Sequence, residues 1–229
     1  MGDILELAKY YSDQGADELV FYDITASPDN RNVDYSWVED VAKLINIPFC
    51  VAGGIRSIEV AEKILNLGAD KISINSPAIN DPNLITELAN RFGSQCVVVG
   101  IDSKLNKGSY QIYKFTGSED MITQGGMDTL TWAKEVMNRG AGEIVLNCIQ
   151  SDGTKNGYDI DQLALIRSAV SLPLIASGGA GKTEDFYALL NDVNVDGALA
   201  ASVFHSKEIQ ISDLKQYLKS KNIFIRMCK

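Results

Sequence analysis

The sequence has one histidine, scattered cysteines and no pattern of metal ligands. His205 stands alone, and the four cysteines show no CxxC spacing: Cys50, Cys96, Cys148 and Cys228. These residues cannot combine into a recognisable metal site. We therefore predict no metal and no cofactor, and we interpret the cysteines as buried, reduced thiols.

Basic residues are also scarce. There are 21 Lys and Arg against 30 Asp and Glu, which gives a net charge of −9. This balance argues against nucleic acid or an anionic membrane as a partner. The N-terminus does not resemble a signal peptide, and no apolar run reaches the roughly 18 residues of a membrane span, so we predict a cytoplasmic protein. An acidic chain can still bind phosphate through backbone N–H groups.

Short apolar runs alternate with segments of helical periodicity along the 229 residues, a usual length for one barrel domain spanning 1–229. The runs are continuous rather than alternating, which is typical of parallel strands covered by helices. This order predicts an α/β fold, either a barrel or an open doubly wound sheet. Strands are predicted at 18–24, 48–53, 71–75, 96–102, 143–149, 173–177 and 197–203. Helices are predicted at 3–14, 34–45, 57–67, 81–91, 127–139, 160–170, 182–191 and 207–220.

An internal repeat favours the barrel. Residues 15–54 match residues 140–179, with Glu18 aligned to Glu143 at an offset of 125, and the match continues into the next strand shifted by one residue. Two βα units that recur half a barrel later indicate two half-barrels of four units each. We therefore predict a (β/α)8 TIM barrel built of two half-barrel repeats.

The predicted elements include eight helices but seven strands. The strand at 96–102 begins the second half, and its counterpart in the first half would precede Met1. We therefore expect the first strand and its following loop to be missing from this sequence. The neighbouring strands would then each carry an unpaired edge.

Two predicted strands end in paired glycines that lead into helices, in VAGGIRS and ASGGAGK. Such turns let backbone N–H groups approach a phosphate, and the following helix dipole favours the anion. Because the pairs occupy matched repeat positions, we predict two phosphate sites and an elongated ligand with a phosphate at each end. The residues assigned to these sites are Gly54, Asn75, Ser76, Gly178, Gly179, Ala201 and Ser202.

Carboxylates at strand ends are candidates for proton transfer, because the mouth of an apolar strand desolvates them. Asp102 ends CVVVGID, and Asp23 lies near the end of ELVFYDI. Either could instead be a structural hydrogen-bonding residue. Asn147, Gln150 and Asp152 are interpreted as polar lining or as an ordered loop, and Ser177 is also predicted to line the substrate.

The segments DELVFYDITAS, FCVAGGIRS, GADKISINSPA, FGSQCVVVGID, RGAGEIVLN, DGTKNGYD, LIASGGAG and DGALAASVFH resemble the cyclase subunit of imidazole glycerol phosphate synthase. The resemblance extends from residue 2 to the C-terminus. It implies a reaction of ammonia, supplied by a glutaminase partner in a heterodimer, with a bis-phosphorylated aminoimidazole-carboxamide ribulose nucleotide. The products are imidazole glycerol phosphate, for histidine synthesis, and the aminoimidazole carboxamide ribonucleotide.

The resemblance also implies residue roles. Asp102 matches one of two catalytic aspartates, and the other falls on the expected missing strand. A ring of charged residues that guards an ammonia passage maps onto Glu18, Lys71 and Glu143, and Asp70 matches a residue that faces the glutaminase. Without the resemblance, that ring would be interpreted as a structural ion-pair cluster.

Three alternatives stay open. The sister isomerase of histidine synthesis is a half-barrel repeat with two phosphate sites, but it needs no ammonia. A cyclase-like protein can supply ammonia for the amidation of a surface sugar. A chain without its first strand could also act as an inactive scaffold that binds a partner. The DITAS and SINSPA segments favour the cyclase.

Overall fold

The computed structural model describes residues 2–22, 35–116 and 123–227. Strands and helices alternate along this part of the chain. The strands are β1 (Leu19–Tyr22), β2 (Phe49–Ala52), β3 (Lys71–Ile74), β4 (Val97–Asn106), β5 (Ser109–Lys114), β6 (Thr123–Asp128), β7 (Glu143–Cys148), β8 (Leu174–Ser177) and β9 (Gly197–Leu199). The helices are α1 (Ile4–Asp13), α2 (Ser36–Leu44), α3 (Ile58–Asn66), α4 (Ser76–Asn80), α5 (Asn83–Phe92), α6 (Thr129–Asn138), α7 (Ile160–Ala169), α8 (Thr183–Asp192), α9 (Ser202–His205) and α10 (Ile211–Ser220).

Seven strands form a parallel sheet in the order β1-β2-β3-β4-β7-β8-β9, and β5 and β6 extend β4 as an antiparallel hairpin. The sheet is curled. Lys71 of β3 lies 2.7 Å from Glu18, beside β1, and 2.8 Å from Glu143 of β7. In a flat sheet, strands two places apart are separated by about 10 Å. The predicted α/β barrel class is confirmed.

The curvature creates an inner apolar layer distinct from the main core. Six strands contribute one side chain each to it, namely Val20, Cys50, Val98, Val145, Ile175 and Leu199. The main core lies between the sheet and the helices and includes Val97, Val99 and Ile101 of β4. Both faces of the strands are therefore buried, which explains the continuous apolar runs in the sequence.

The half-barrel repeat is visible in the strand pairing. Leu19 lies opposite Phe49 between β1 and β2, and Ile144 lies opposite Leu174 between β7 and β8. Each residue of the second pair is 125 positions after its counterpart in the first. The predicted repeat is therefore a structural repeat with the same register.

β1 and β9 lie at the two ends of the strand order. In the ranges described, β1 pairs with β2 alone and β9 pairs with β8 alone. A groove of about 610 Å³ lies beside them and is lined by both strands, including Val20 and Leu199. The expectation that another strand belongs there stays a prediction.

Several predicted boundaries were wrong. The strand predicted at 197–203 ends at Leu199, and Ser202 begins a short helix instead. The strand predicted at 96–102 continues to Asn106, where it turns into the hairpin. The short helices α4 and α9 were also missed, because four or five residues carry too little periodicity to detect.

Polar side chains define several helix starts. Asp3 accepts hydrogen bonds from two backbone N–H groups of α1, and Ser57, Asp128 and Asp159 cap α3, α6 and α7. Such caps satisfy backbone donors that the helix leaves free.

None of the helices in the described ranges has the length and apolar character needed to cross a bilayer.

Candidate active site

Asp102 faces the interior of the curled sheet. It lies on β4 four residues after Val98, which belongs to the inner apolar layer, whereas Val97, Val99 and Ile101 face the helices. Because side chains alternate along a strand, Asp102 shares the inward face with Val98. It lies near the carboxyl ends of the parallel strands, where barrels of this type carry their active sites.

Three donors hold the Asp102 carboxylate. Asn75, which follows β3, donates its Nδ2–H to Oδ2 at 2.7 Å, and Asn147 of β7 donates its Nδ2–H to Oδ1 at 2.8 Å. Thr116, which follows β5, donates its hydroxyl to Oδ2. Residues from both neighbouring strands and from the hairpin therefore fix the carboxylate in position.

Burial raises the pKa of Asp102 above its ordinary value, and the charge of Asp152 raises it further. The hydrogen bonds from Thr116, Asn147 and Asn75 oppose this shift, since they stabilise the ionised form. Ionised carboxylates accept hydrogen bonds and do not donate them, so the three donors fit a carboxylate that accepts a proton. The arrangement is suited to a general base stronger than an aspartate in water.

Replacement of Thr116 with Val should move the acidic limb of the pH–rate profile upward. The substitution removes one hydrogen bond from the ionised form, so the pKa of Asp102 rises and activity is lost at a higher pH. We expect a shift of about one pH unit, on the scale of a hydrogen bond to a charged group. Thr116→Ser keeps the hydroxyl and should restore the original profile. Identical profiles for both variants would contradict this role of Thr116.

The two glycine turns have the backbone conformation that glycine favours. Gly53 and Gly54 have φ of 105° and 70°, and Gly178 and Gly179 have φ of 91° and 113°. A Cβ on Gly179 would lie 2.1 Å from the carbonyl oxygen of Gly157. The loop after β7 therefore packs directly on the second turn, and a backbone hydrogen bond from Gly157 N to Gly179 O joins them at 2.8 Å.

The other predicted phosphate residues lie at the same end of the sheet. Ser76 begins α4, and its buried hydroxyl accepts a hydrogen bond from Phe115 N at 3.0 Å. Ala201 and Ser202 are exposed at the start of α9. Ser177 is buried on β8, opposite Asn147. Their contact with a phosphate stays a prediction.

The loop after β7 is ordered by its own contacts. Gln150 accepts a hydrogen bond from Leu105 N at 2.9 Å, which ties the loop to β4. Asp152 is exposed, and its charge acts on Asp102. Gln150 thus fits the ordered-loop interpretation.

Asp23, the second carboxylate singled out in the sequence, lies outside the described residues.

The predicted charged ring lies at the opposite end of the strands. Lys71 Nζ is within 2.7 Å of a Glu18 oxygen and 2.8 Å of a Glu143 oxygen. Burial disfavours the lysine charge, but the two carboxylates outweigh it and raise the pKa of Lys71 to about 12. Asp70, beside the ring, is exposed and accepts a hydrogen bond from Phe49 N at 2.9 Å.

Lys71→Met should destabilise the fold, because it leaves two partly buried carboxylates facing each other without a cation. We expect a loss of about 2 kcal/mol in the free energy of unfolding, below the cost of breaking a fully buried pair. Arg91→Met is the matched control: it breaks an exposed pair with Glu62, which should cost less than about 1 kcal/mol. Urea unfolding of both variants tests this. Equal losses in the free energy of unfolding would show that the charged ring stabilises the fold no more than an exposed ion pair does.

Thr116 is the site residue that the sequence analysis missed. It lies 14 positions after Asp102 and reaches it only because β5 folds back on β4. The alternation in SYQIYK, after the turn-forming NKG, is the signal that could have predicted the hairpin.

In the described ranges, no group of three or more His, Cys, Asp or Glu side chains is placed to hold a metal ion.

Comparisons with known proteins agree with this architecture. A family model described as "Histidine biosynthesis protein" matches residues 1–210. The chain is 59% identical over 229 residues to imidazole glycerol phosphate synthase subunit hisF1 of Vibrio vulnificus. It is 60% identical over 228 residues to subunit HisF of Vibrio cholerae and 59% identical over 230 residues to subunit HisF of Escherichia coli.

These alignments span 99%, 99% and 100% of this chain and 89% of each relative. The resemblance predicted from the sequence motifs is thus confirmed at the level of the family. The chain belongs to the histidine biosynthesis protein family.

Proposed function

We propose that this protein is the cyclase subunit of imidazole glycerol phosphate synthase. It joins ammonia to a bis-phosphorylated aminoimidazole-carboxamide ribulose nucleotide and releases imidazole glycerol phosphate and the aminoimidazole carboxamide ribonucleotide. The observation that carries the proposal is Asp102, held by three donors at the same end of the sheet as the two glycine turns. The curated relatives bear the name of this synthase.

The glycine turns are proposed to bind the two phosphates. One site uses Gly54 with Asn75 and Ser76, and the other uses Gly178 and Gly179 with Ala201 and Ser202. Positive φ values at the glycines support this assignment, because this backbone conformation can direct successive N–H groups toward one anion. Because the protein has a net charge of −9, its overall field does not attract a phosphate, so local backbone N–H groups should contribute more to phosphate binding than surface lysines do.

Asp102 is proposed to be the general base. The nitrogen of ammonia must lose protons as it becomes part of the imidazole ring, and a buried carboxylate with a raised pKa can accept one. Asn147, Asp152 and Ser177 are proposed to line the substrate, as is Asp23. The family pattern also requires a second aspartate as the acid.

The charged ring is proposed to be the entrance for ammonia. Glu18, Lys71 and Glu143 meet at the amino ends of the strands, and the inner apolar layer lies between them and Asp102. An apolar interior admits neutral ammonia more readily than ammonium, because a charge is costly to desolvate. A glutaminase subunit that delivers ammonia would bind at this end, beside Asp70.

Turnover of the nucleotide tests the proposal. With ammonium salt as the nitrogen source, imidazole glycerol phosphate should form at a rate that depends on ammonium concentration. With glutamine and a glutaminase subunit, the same product should form without added ammonium. Isomerisation of the preceding aminoimidazole nucleotide without any nitrogen source would favour the sister isomerase. Glutaminase binding without turnover would favour the scaffold.

A further inference from the structure

Ser103, the residue after Asp102, faces the opposite side of β4. The helix-facing residues before it, Val97, Val99 and Ile101, are apolar and belong to the main core. Ser103 continues the same alternation and is 1% exposed, so its side chain lies between the sheet and the helices. The strand therefore carries a buried hydroxyl directly behind the proposed general base, on a face that is otherwise apolar.

Two helices bind this hydroxyl. The hydroxyl oxygen of Thr129, the first residue of α6, lies 2.6 Å from Ser103 Oγ, and Gln162 of α7 donates its Nε2–H to the same oxygen. Thr129 is 0% exposed and Gln162 is 1% exposed. These three residues form a buried polar cluster that joins the end of β4 to both helices.

The buried polar cluster is also linked to the hairpin. Asp159, which caps α7, accepts hydrogen bonds at Oδ1 from Gln162 N at 3.0 Å and from the Tyr110 hydroxyl of β5 at 3.3 Å. The strand β5 leads to Thr116, which donates to Asp102. The helix that holds β4 from behind therefore also holds the segment that supplies one of the donors to the carboxylate.

The backbone of β4 connects the cluster to a second donor. Ser103 O accepts a hydrogen bond from Ile149 N at 2.9 Å, and Asp102 lies opposite Asn147 in the pairing of β4 with β7. Asn147 donates to the carboxylate from the inner side of the sheet. Movement of β4 at Ser103 would therefore displace Asp102 relative to the groups that bind it.

Stability alone gives little reason for a polar cluster at this place. Burial removes polar groups from water, so the net contribution of an internal hydrogen bond is small, and apolar side chains of similar volume can stabilise a core as well. Hydrogen bonds differ from apolar contacts because they depend on both distance and direction. The cluster therefore restricts the position of β4 against α6 and α7 more closely than apolar packing would.

We propose that Ser103, Thr129 and Gln162 are positioning residues for Asp102. They act from the far side of β4 and hold the carboxylate where its donors meet it. Because the cluster is buried behind the sheet, it should affect the chemical step and not the binding of the nucleotide. The inference rests on the proposed function for the reaction in which Asp102 takes part.

Thr129→Val tests the proposal, because it removes a hydroxyl of the cluster without changing any of the three donors to Asp102. Displacement of β4 should weaken the hydrogen bonds to the ionised carboxylate, so Asp102 should titrate at least about 0.5 pH unit higher than in the wild type. NMR of the Asp102 carboxylate carbon in the full chain, assigned by its loss in Asp102→Asn, measures this titration. Asp152 and Tyr22, whose charges interact with Asp102 in the described ranges, are kept.

The rate of cyclisation provides the second readout. For Thr129→Val, kcat should fall at least about threefold and KM should stay within twofold, since a small misplacement of a catalytic group slows the chemical step. Ser103→Ala leaves both Thr129 and Gln162 without their shared partner. It should shift the titration in the same direction and lower kcat by about tenfold.

Two further variants separate positioning from a general loss of stability. Thr129→Ser keeps the hydroxyl and should show the wild-type titration and kcat. Val136→Ala is the matched control: Val136 is fully buried on the same helix, two turns beyond Thr129, and makes apolar contacts in the core. This variant should unfold at a lower urea concentration, as Thr129→Val does, but should leave the titration of Asp102 and kcat unchanged.

An unchanged titration of Asp102 in Thr129→Val and Ser103→Ala would overturn the proposal, and so would an equal shift in Val136→Ala. Thr129→Val decides the question alone if Ser103→Ala does not fold. The titration needs no turnover, so it gives an answer even if the wild type fails to cyclise the nucleotide. Normal cyclisation by the wild type with no shift in the variants would refute the positioning role and leave the proposed function intact.

Discussion

Asp102→Asn is expected to lower kcat for cyclisation with ammonium salt by 10²- to about 10⁴-fold, the usual scale for the loss of a general base. Asparagine has nearly the same shape but cannot take up a proton at neutral pH. It also presents an NH2 group to a site in which Asn75, Asn147 and Thr116 all donate. The KM for the nucleotide should change by less than about threefold, because the proposed phosphate sites bind through backbone N–H groups and not through the Asp102 carboxylate.

Asp13→Asn is the matched control. Asp13 is an exposed aspartate that pairs with Lys9 on the surface of α1, and its replacement should leave kcat and KM unchanged. Steady-state kinetics of the two variants, with circular dichroism to confirm folding, provides the measurement. If Asp102→Asn retained more than a tenth of the wild-type kcat, Asp102 would be a structural hydrogen-bonding residue instead.

Gly179→Ala is expected to have the largest effect on both stability and substrate affinity. The new Cβ would lie 2.1 Å from the carbonyl oxygen of Gly157, so the backbone of the turn or of the loop after β7 must move. We expect a loss of at least about 3 kcal/mol in the free energy of unfolding, since the clash adds to an unfavourable φ. The KM for the nucleotide should rise by at least about tenfold, because the backbone N–H groups that we propose bind a phosphate would move with the turn.

Gly108→Ala separates the two causes. Gly108 has φ of 85° in the turn between β4 and β5, and its Cβ would have no atom within 4 Å. The variant therefore reports the cost of the left-handed backbone alone, about 1 kcal/mol. Chemical unfolding and the KM for the nucleotide should be measured for both. A similar loss in the two variants would mean that the contact with Gly157 yields easily.

The parallel sheet and its repeat could be predicted because their signals are local. Each parallel strand contains a short apolar run followed by a glycine or a polar residue, and the sequence match of Glu18 with Glu143 aligns the two halves. The observed register keeps the same offset. The ion-pair cluster could also be anticipated, because the resemblance mapped it and the curled sheet brings its members into contact.

The environment of Asp102 could not be predicted in the same way. Thr116 reaches the carboxylate only through the register of the hairpin, which depends on pairing across a turn. Asn75 was assigned to phosphate from its place at a strand end, but its side chain donates to Asp102. A strand-end position specifies which side of the barrel a residue occupies, whereas its rotamer and its partner depend on neighbouring strands.

The matched halves have a consequence for the direction in which substrate enters. An elongated molecule with a phosphate at each end can lie across a pseudo-twofold mouth in two opposite orientations, and one of them presents the wrong atoms to the general base. The described residues make a different contact near each of the two proposed phosphate sites. On one side Ser76 is joined to the hairpin at Phe115, and on the other the loop ending at Gly157 covers Gly179. We therefore expect the side chains on these segments, rather than the matched glycine turns, to distinguish head from tail if the turns bind the two phosphates as proposed.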